Sequence, residues 1–596
     1  MLNKEFADRF RVMMVCIIGI FVILIARMAY LQLYRGDFYY RQAEGNRTRF
    51  TTILAPRGII YDCNGEELVN NKPGFVVSLT RNAGEKYSPE LIAKLAVYLR
   101  MSEDDIQKII DKNKDSYEPV RLMRDAPPDV VTKIEENMRD LHGVMLEVQP
   151  VRNYVNRELA VHALGYVGEV SDYDISQGRF QDLKAGSIVG KFGLENFYDQ
   201  FLRGTDGSYR EEVDVNGRIV QILSKVNPHP GQSLVLTIDA KMQRVAEEAV
   251  DKQLALLRAN GVAPNARACA VVAIEPNTGE IKAMVSRPGF DPNLFVNGIS
   301  SKNWRVINED PFNPMTNKAI AGEYPPGSTF KIVTGAAALQ TGKVTPNELI
   351  FDSGRHWLVD MRNAGGEALG YIDFQTALAA SDNVYFYEMG NRLGIDLLDQ
   401  YAAKFGFGKA TGVDLYGESS GMVANPAYKK KVFNEDWFLG DTFNASIGQG
   451  FNLVTPLQDA LMLCAIANEG KQFKPHLVKK VINDDGSVFK TFAPELINTI
   501  PVDKNNIELI QRGLRGVTQE GGTAASLAIL PVVVAGKTGT AENPHGVDHG
   551  WFIAYAPADQ KPSLVVVVVV EQGNYGALSA APIVRRVLEY AFKEQE

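Results

Sequence analysis

Pro325-Pro326-Gly327-Ser328-Thr329-Phe330-Lys331 runs straight into Ile332-Val333-Thr334-Gly335-Ala336-Ala337-Ala338-Leu339. Two prolines and a glycine force a turn, and the Ala-rich continuation reads as a helix slim enough to be buried in a core. Ser328 then stands at the helix N-terminus with Lys331 one turn on, on the same face. Backbone N–H groups at a helix start have no intrahelical partner, so an oxyanion forming beside Ser328 would meet donors there. A hydroxyl with an amine beside it is a nucleophile with its own base. This heptapeptide is the candidate active centre.

Spacing alone is weak evidence, and the chain supplies its own decoy. Ser487-Val488-Phe489-Lys490 has the same spacing but follows the turn signal Asn483-Asp484-Asp485-Gly486. It reads as a strand of a surface hairpin, where residues three apart point to opposite faces. A second signal, Ser381-Asp382-Asn383, lies between the helical run Phe374 to Ala380 and Val384-Tyr385-Phe386-Tyr387. Its decoy, Ser301-Lys302-Asn303, reads as a polar loop. The third, Gly536-Lys537-Thr538-Gly539-Thr540, occurs once, at the end of a strand begun by Val532-Val533-Val534. Lys537 is expected to point into a cleft there, with Gly539 admitting a ligand backbone.

The 596 residues suffice for two to four domains. With 45% apolar and 22% charged residues the chain is a folded protein. A net charge of −8 and the lack of any Lys/Arg block set nucleic acid aside as a partner. Cys16, Cys63, Cys269 and Cys464 are scattered, with neither metal spacing nor a disulfide framework.

Residues 12 to 26 carry no charge. Counting on through Leu33 reaches the roughly 20 residues of a membrane span, if Arg27 snorkels or faces a partner helix. Tyr30 and Tyr34 suit the interface. A cleaved signal peptide is the alternative, but no small-x-small site follows the apolar run, which favours an uncleaved anchor. Lys4, Arg9 and Arg11 favour a cytoplasmic tail, although Arg35 and Arg41 weaken the asymmetry. Everything after residue 35 is then expected outside the membrane.

The region from 45 to 232 is mixed: a hairpin turn at Asn64-Gly65, a strand at 75–79 and helical periodicity over 89–113 and 127–140. Nothing there reads as catalytic. Arg57, Asp62, Arg152 and Glu195 read as paired charges holding loops together. Asn227-Pro228-His229-Pro230-Gly231 is the linker. A strand at 233–238, a helix at 239–258 and a hairpin at 268–285 follow. Near the end, 551–555 is apolar, Leu564 precedes six valines that read as a strand buried on both faces, and 580–594 is an amphipathic helix. Two early strands and three late ones predict a single antiparallel sheet on which the helical middle packs.

Ser-x-x-Lys, Ser-x-Asn and Lys-Thr-Gly, in that order and each in fitting local structure, resemble the trio of penicillin-binding proteins and class A β-lactamases. The whole chain resembles a class B penicillin-binding protein. The resemblance includes Arg57-Gly58-Ile59-Ile60-Tyr61-Asp62, Gly193-Leu194-Glu195, Leu202-Arg203-Gly204, Ser446-Ile447-Gly448-Gln449-Gly450 and Thr455-Pro456-Leu457-Gln458. Phe405-Gly406-Phe407-Gly408, Thr411 to Leu415 with Gly417-Glu418, and Trp437 with Gly440-Asp441-Thr442 look more like the elongation type than the division type.

This resemblance implies a multidomain α+β chain. Its parts would be a cytoplasmic tail (1–11), a transmembrane signal anchor (12–33), an elongated dimerisation-type pedestal (45–232) and a transpeptidase domain (233–596). The last would be penicillin-binding/serine β-lactamase-like: a five-stranded antiparallel sheet flanked by helices, with a helical subdomain and no PASTA-like extension. It implies a D,D-transpeptidase of the cytoplasmic membrane, single-pass, with its catalytic domain extracytoplasmic. That enzyme would cross-link peptidoglycan stem peptides during elongation and be acylated by β-lactam antibiotics.

The implied roles are residue-specific. Ser328 attacks the D-Ala-D-Ala donor, and Lys331, neutral through repulsion from Lys537, takes the proton. Ser381 relays the proton to the leaving amine, and Asn383 binds Lys331 and the substrate amide. Lys537, Thr538 and Thr540 take the donor carboxylate, Gly539 gives close approach, and the N–H groups of Ser328 and Thr540 form the oxyanion hole. The acceptor is an amine of a neighbouring stem peptide. Implied partners are a SEDS-type (RodA-like) glycan polymerase and other elongation-complex membrane proteins.

No cofactor is expected. Some elongation-type relatives carry a zinc site of Asp, His and Cys; here Asp352, His356, Asp360 and Asp373 occur without a cysteine and read as scattered surface polars, so no metal is expected. Asp382, where many relatives have a neutral residue, reads as tolerated, since the middle position of Ser-x-Asn need not face the cleft. A division-type enzyme, a β-lactamase or β-lactam sensor, and a scaffold that activates a glycan polymerase are the rival readings.

Overall fold

The computed structural model describes the chain apart from residues 1, 40–47, 81–86, 113–118, 177, 179, 181–182, 184–185, 214–218 and 594–596. Arg41, the first residues of the expected pedestal and the last of the helical readings at 89–113 and 580–594 therefore lie outside the described residues. The described chain forms two compact units, one of residues 1–56, 73–150 and 205–229 and one of 57–72, 151–204 and 230–596.

The smaller unit begins with helix α1 (Leu2–Ala29), which continues through a π-helical turn, Tyr30–Tyr34. Phe6–Tyr34 is long and apolar enough to cross a membrane, and its most apolar stretch is buried by nothing in the chain. A helix apolar on all sides and packed on nothing needs an apolar solvent. The rest of this unit includes a three-stranded antiparallel sheet with Gly207–Val213 between Thr48–Ile53 and Ile219–Val226. The helical reading at 89–113 resolves into two helices, Pro89–Leu99 and Glu103–Lys112. Arg100, in the left-handed region at φ 56°, closes the first of them. The reading at 127–140 shortens to Pro128–Glu136.

In the larger unit α2 (Ala240–Ala259) is capped by Asp239, whose carboxylate accepts from the N–H groups of Lys241 and Met242. The early hairpin is β1 (Cys269–Ile274) and β2 (Ile281–Arg287). The late strands are β3 (Ala535–Ala541), β4 (His549–Ala556) and β5 (Leu564–Val570). They form one antiparallel sheet in the order β2-β1-β5-β4-β3, as the two-early, three-late pattern predicts. The strand at 233–238 does not join it; Ser233–Leu236 pairs instead with Ile60–Tyr61 and Val478–Ile482.

All seven residues of β5 are buried. Val565, Val567 and Val569 enter one core, and Val566, Val568 and Val570 the other. The period-2 alternation of a strand thus requires an apolar residue at every position. On one side lie α2 and α8 (Ala581–Ala591); on the other lies α6 (Pro456–Ala467), buried along its whole length. The helical middle contributes α3 (Lys331–Gln340), α4 (Phe374–Ala380), α5 (Asn383–Leu393) and α7 (Lys504–Thr518). Val532-Val533-Val534 does not extend β3: Val533 is exposed, and the strand starts at Ala535.

Candidate active site

The sequence Pro-Pro-Gly-Ser forms a tighter turn than expected. Gly327–Phe330 is a 3-10 turn, and α3 proper starts at Lys331. Ser328 is half-buried on that turn while Thr329, Phe330 and Lys331 are buried. Gly327 has φ 56°, and a methyl group on it would lie 2.6 Å from the Thr540 carbonyl oxygen. The Ser328 turn is therefore laid directly on the backbone of β3, which only glycine allows. Gly327 N–H donates to the Gly448 carbonyl at 2.9 Å. A methyl group on Gly448 would stand 2.2 Å from Gly327 O, and one on Gly539 2.8 Å from the Trp551 Cβ. Gln449 Nε2 donates to Thr540 O at 3.1 Å, and Trp551 Nε1 to Pro325 O at 3.0 Å.

Ser381 closes α4 in the left-handed region, at φ 61°. For a non-glycine residue this costs about 1 kcal/mol. The turn brings Ser381 O and Oγ towards two lysines. Lys331 Nζ donates to Ser381 O at 2.7 Å and Asn383 Oδ1 at 2.6 Å, and stands 3.4 Å from Ser381 Oγ. Lys537 Nζ donates to Ser381 Oγ at 2.7 Å and to Thr538 O at 3.1 Å. Both lysine side chains are wholly buried, and these bonds go only to neutral oxygens. Burial pulls the Lys331 amine down to about 7, against the charge of Asp382, which pulls it up. Burial and then the neighbouring Lys331 drive Lys537 well below its ordinary value. Burial is the larger cause at both amines, and the repulsion between the two, which is mutual, adds to it.

Asp382 does not face away idly. It caps α5, accepting from Tyr385 N–H at 2.6 Å, and it is buried. Burial, with the charge of Asp352 beside it, pushes the Asp382 carboxyl up to about 6. Asn363, which drew no notice as sequence, ties this corner together. Its Nδ2 donates to Asp382 at 2.8 Å and to Asp352 at 3.0 Å. Its Oδ1 accepts from the N–H groups of Asn383 at 2.7 Å and Val384 at 3.1 Å.

Lys537, Thr538, Gly539 and Thr540 all lie on β3, an edge strand paired on one side only, with β4. The Thr538 hydroxyl stands 3.0 Å from that of Thr523, a residue without any signal in the sequence. Gly522, which cannot carry a Cβ without striking the carbonyls of Gly516 and Val517 at 2.3 Å, fixes the loop on the end of α7.

The decoys lie elsewhere. Ser487 bonds Asp485 in an exposed turn before the strand Val488–Thr491. Ser301, read as part of a loop, instead opens the helix Ser301–Asn308, capped by Ser300. Asp352 and His356 are buried rather than surface polars. Asp352 accepts from Gly354 and Leu369 N–H groups, and His356 faces Glu388 at 3.4 Å. Asp373 caps α4, and Asp360 pairs with Arg362 on the surface. Among the described residues no three His, Cys, Asp or Glu side chains converge as a metal would need.

Comparison with known proteins agrees with this geometry. Residues 269–589 match the penicillin binding protein transpeptidase domain, and residues 52–236 the penicillin-binding protein dimerisation domain. The peptidoglycan D,D-transpeptidase MrdA of Acinetobacter baumannii is 32% identical over 96% of this chain and 85% of its own. Its namesake in Escherichia coli K12 is 30% identical over 95% and 91%. Among solved structures, PBP2 of Helicobacter pylori in complex with MreC superposes with a TM-score of 0.77 at 27% identity, covering 91% of this chain and 98% of that one. A chain from a peptidoglycan synthase complex gives a TM-score of 0.74 at 30% identity over 99% of both. A Ser-x-x-Lys turn, a Ser-x-Asn turn and a Lys-Thr-Gly edge strand converge on one buried lysine pair, and with these matches they make the chain a class B penicillin-binding protein of the elongation type, a peptidoglycan D,D-transpeptidase.

Proposed function

We propose that Ser328 is the nucleophile, Lys331 its base, and that Ser381, Asn383 and Lys537 complete the catalytic set. One observation carries the assignment: Lys331 is buried and donates to two neutral oxygens, Ser381 O and Asn383 Oδ1. A neutral amine has two hydrogens. With both committed, its lone pair is free to accept the Ser328 proton. Ser328 Oγ then bonds the carbonyl carbon of the penultimate D-alanine, and the oxyanion is held by the N–H groups of Ser328 and Thr540. The intermediate collapses by breaking the bond to the terminal D-alanine. Its leaving amine takes a proton through the Ser381 hydroxyl, which touches both lysines. The acceptor amine attacks the acyl-enzyme, and the same groups return the proton.

Thr538 and Thr540 would hold the donor carboxylate together with Lys537, and Gly539 lets the substrate backbone lie along the open edge of β3. The anchor at 12–33 would leave 1–11 in the cytoplasm and put 45–232, the pedestal, and 233–596, the transpeptidase domain, on the outer side of the cytoplasmic membrane. A SEDS-type glycan polymerase and an MreC-like protein are the partners this reading favours, since one relative of known structure is in complex with MreC and another belongs to a peptidoglycan synthase complex that couples polymerization and crosslinking. Ser328→Ala is expected to abolish covalent labelling by a fluorescent penicillin while Ser487→Ala leaves it intact. Labelling of Ser328→Ala at the wild-type rate would overturn the assignment.

A further inference from the structure

Beneath the nucleophile turn lies an acid that the chemistry above does not use. Asp459 stands in the first turn of α6, with 0% exposure. Neither of its carboxyl oxygens has a hydrogen-bond partner of ordinary geometry. The hydroxyl of Thr329, the residue after Ser328, is the polar side chain in reach. The helix it stands on is otherwise apolar but for Gln458, and is buried at every position.

No cation offsets it. Of the elements packed against α6, the helix Lys318–Ala321 brings Lys318, whose amine donates to Phe312 O and Asn313 O. The strand Lys471–Phe473 brings Lys471, which is exposed. On β4, His549 accepts from Gln572 N–H. On α7, Lys504, Glu508 and Arg512 are exposed, and Arg515 acts on Tyr555. The thiol of Cys269 on β1 is driven up by its own burial, so it carries no charge. An isolated carboxylate here would cost several kcal/mol, so the group stays protonated.

We propose that Asp459 is a positioning residue for the nucleophile, held as the neutral acid so that its O–H donates to Thr329 Oγ1 and fixes the direction of the Thr329 hydroxyl. That direction matters because Thr329 Oγ1 already donates to Pro326 O at 3.0 Å, which closes the turn carrying Ser328. A neutral acid leaves this bond intact. An ionised one accepts only, takes the Thr329 hydrogen for itself and releases Pro326. Burial raises the Asp459 carboxyl to about 7, so the latch opens within an accessible pH range.

The proposal rests on Ser328 being the nucleophile, and the test keeps the two apart. The acylation rate by a fluorescent penicillin and the melting temperature are measured from pH 5.5 to 9 for the full-length protein and for Asp459→Asn and Asp459→Leu. The folded pKa lies above the unfolded one, so the wild type loses stability as pH rises from about 4 to about 7. Its acylation rate is expected to fall on the alkaline side. Asn keeps a donor and cannot ionise, so it should stay within about threefold of wild type at neutral pH and lose both pH dependences. Leu, if folded, should acylate about tenfold more slowly; if it does not fold, the Asn profile decides. An Asn variant that keeps the wild-type alkaline fall and melting profile overturns the proposal. So does a folded Leu variant that acylates at the wild-type rate. Failure of the Ser328 assignment would appear separately, as labelling of Ser328→Ala.

Discussion

Two clusters of buried charge in the larger unit make opposite use of the same burial. In one, Glu195 is fully buried between Arg57 Nε at 2.5 Å and Arg152 Nε at 2.7 Å, and Arg57 also reaches Asp199 at 2.8 Å. Arg152 further donates to Gly58 O at 2.6 Å. Burial opposes ionisation of Glu195, but Arg152 and Arg57 overcome it and hold the carboxyl below its usual range. In the other cluster, Lys331 and Lys537 meet only neutral oxygens and each other, and both amines fall. Opposite charges in a dry place keep their charge and become structure. Amines there, bonded to no counter-charge, give up a proton, and the lone pair this frees is what acyl transfer needs.

Swapping the properties of the clusters tests the contrast. Lys331→Arg installs a cation that cannot deprotonate. The rate constant for penicillin acylation should drop by about 10²–10⁴, with melting little changed; a rate within tenfold of wild type would remove the base from Lys331. Glu195→Gln leaves buried Arg152 without its carboxylate and Arg57 with Asp199 alone, and should cost about 3–5 kcal/mol in denaturant unfolding. Acylation by the fraction that remains folded should be unaltered.

Smaller shifts follow within the lysine cluster. In Asp459→Asn, where the alkaline fall is expected to be absent, acylation should rise with pH through about 7 as Lys331 loses its proton. Asp382→Asn removes the negative charge that favours protonated Lys331, so the midpoint should move to lower pH; an upward shift would contradict the coupling. Thr523→Val removes one hydroxyl beside Thr538 and should weaken carboxylate-bearing donors by about 0.5–1.5 kcal/mol, read as kcat/KM, with a smaller loss for donors lacking that carboxylate.

Much of this was legible because the signals are local. Six valines announce a strand with two buried faces, and Lys-Thr-Gly at a strand end announces a cramped, open edge. Ser381 and Asn383 were likewise readable from a helix end followed by a helix start. What escaped depends on contacts distant in sequence. Asn363 serves the Ser381 turn from about twenty residues upstream, and no pattern marks it. Asp459, more than a hundred residues from Ser328, sits in an apolar helix that gives no sign of what lies above it. Segments 57–72 and 151–204 join 230–596 through partners far apart in sequence, Ile60 pairing with Leu234 and the Tyr198 hydroxyl donating to Asp414 at 2.9 Å. The full depth of Lys331's burial was hidden for a related reason. A spacing pattern reveals a neighbouring charge but says nothing about how dry the site is.

The three glycines packed around the nucleophile turn also bear on how a bacterium can evade a drug. Gly327, Gly448 and Gly539 each lack room for a single methyl group. A substitution at any of them would disturb the antibiotic's seat and the seat of the natural stem peptide together, so no heritable change there separates the poison from the nutrient route. Selection under a β-lactam is therefore expected to leave these positions untouched in sequenced survivors and to accumulate changes at the exposed rim, such as Thr523.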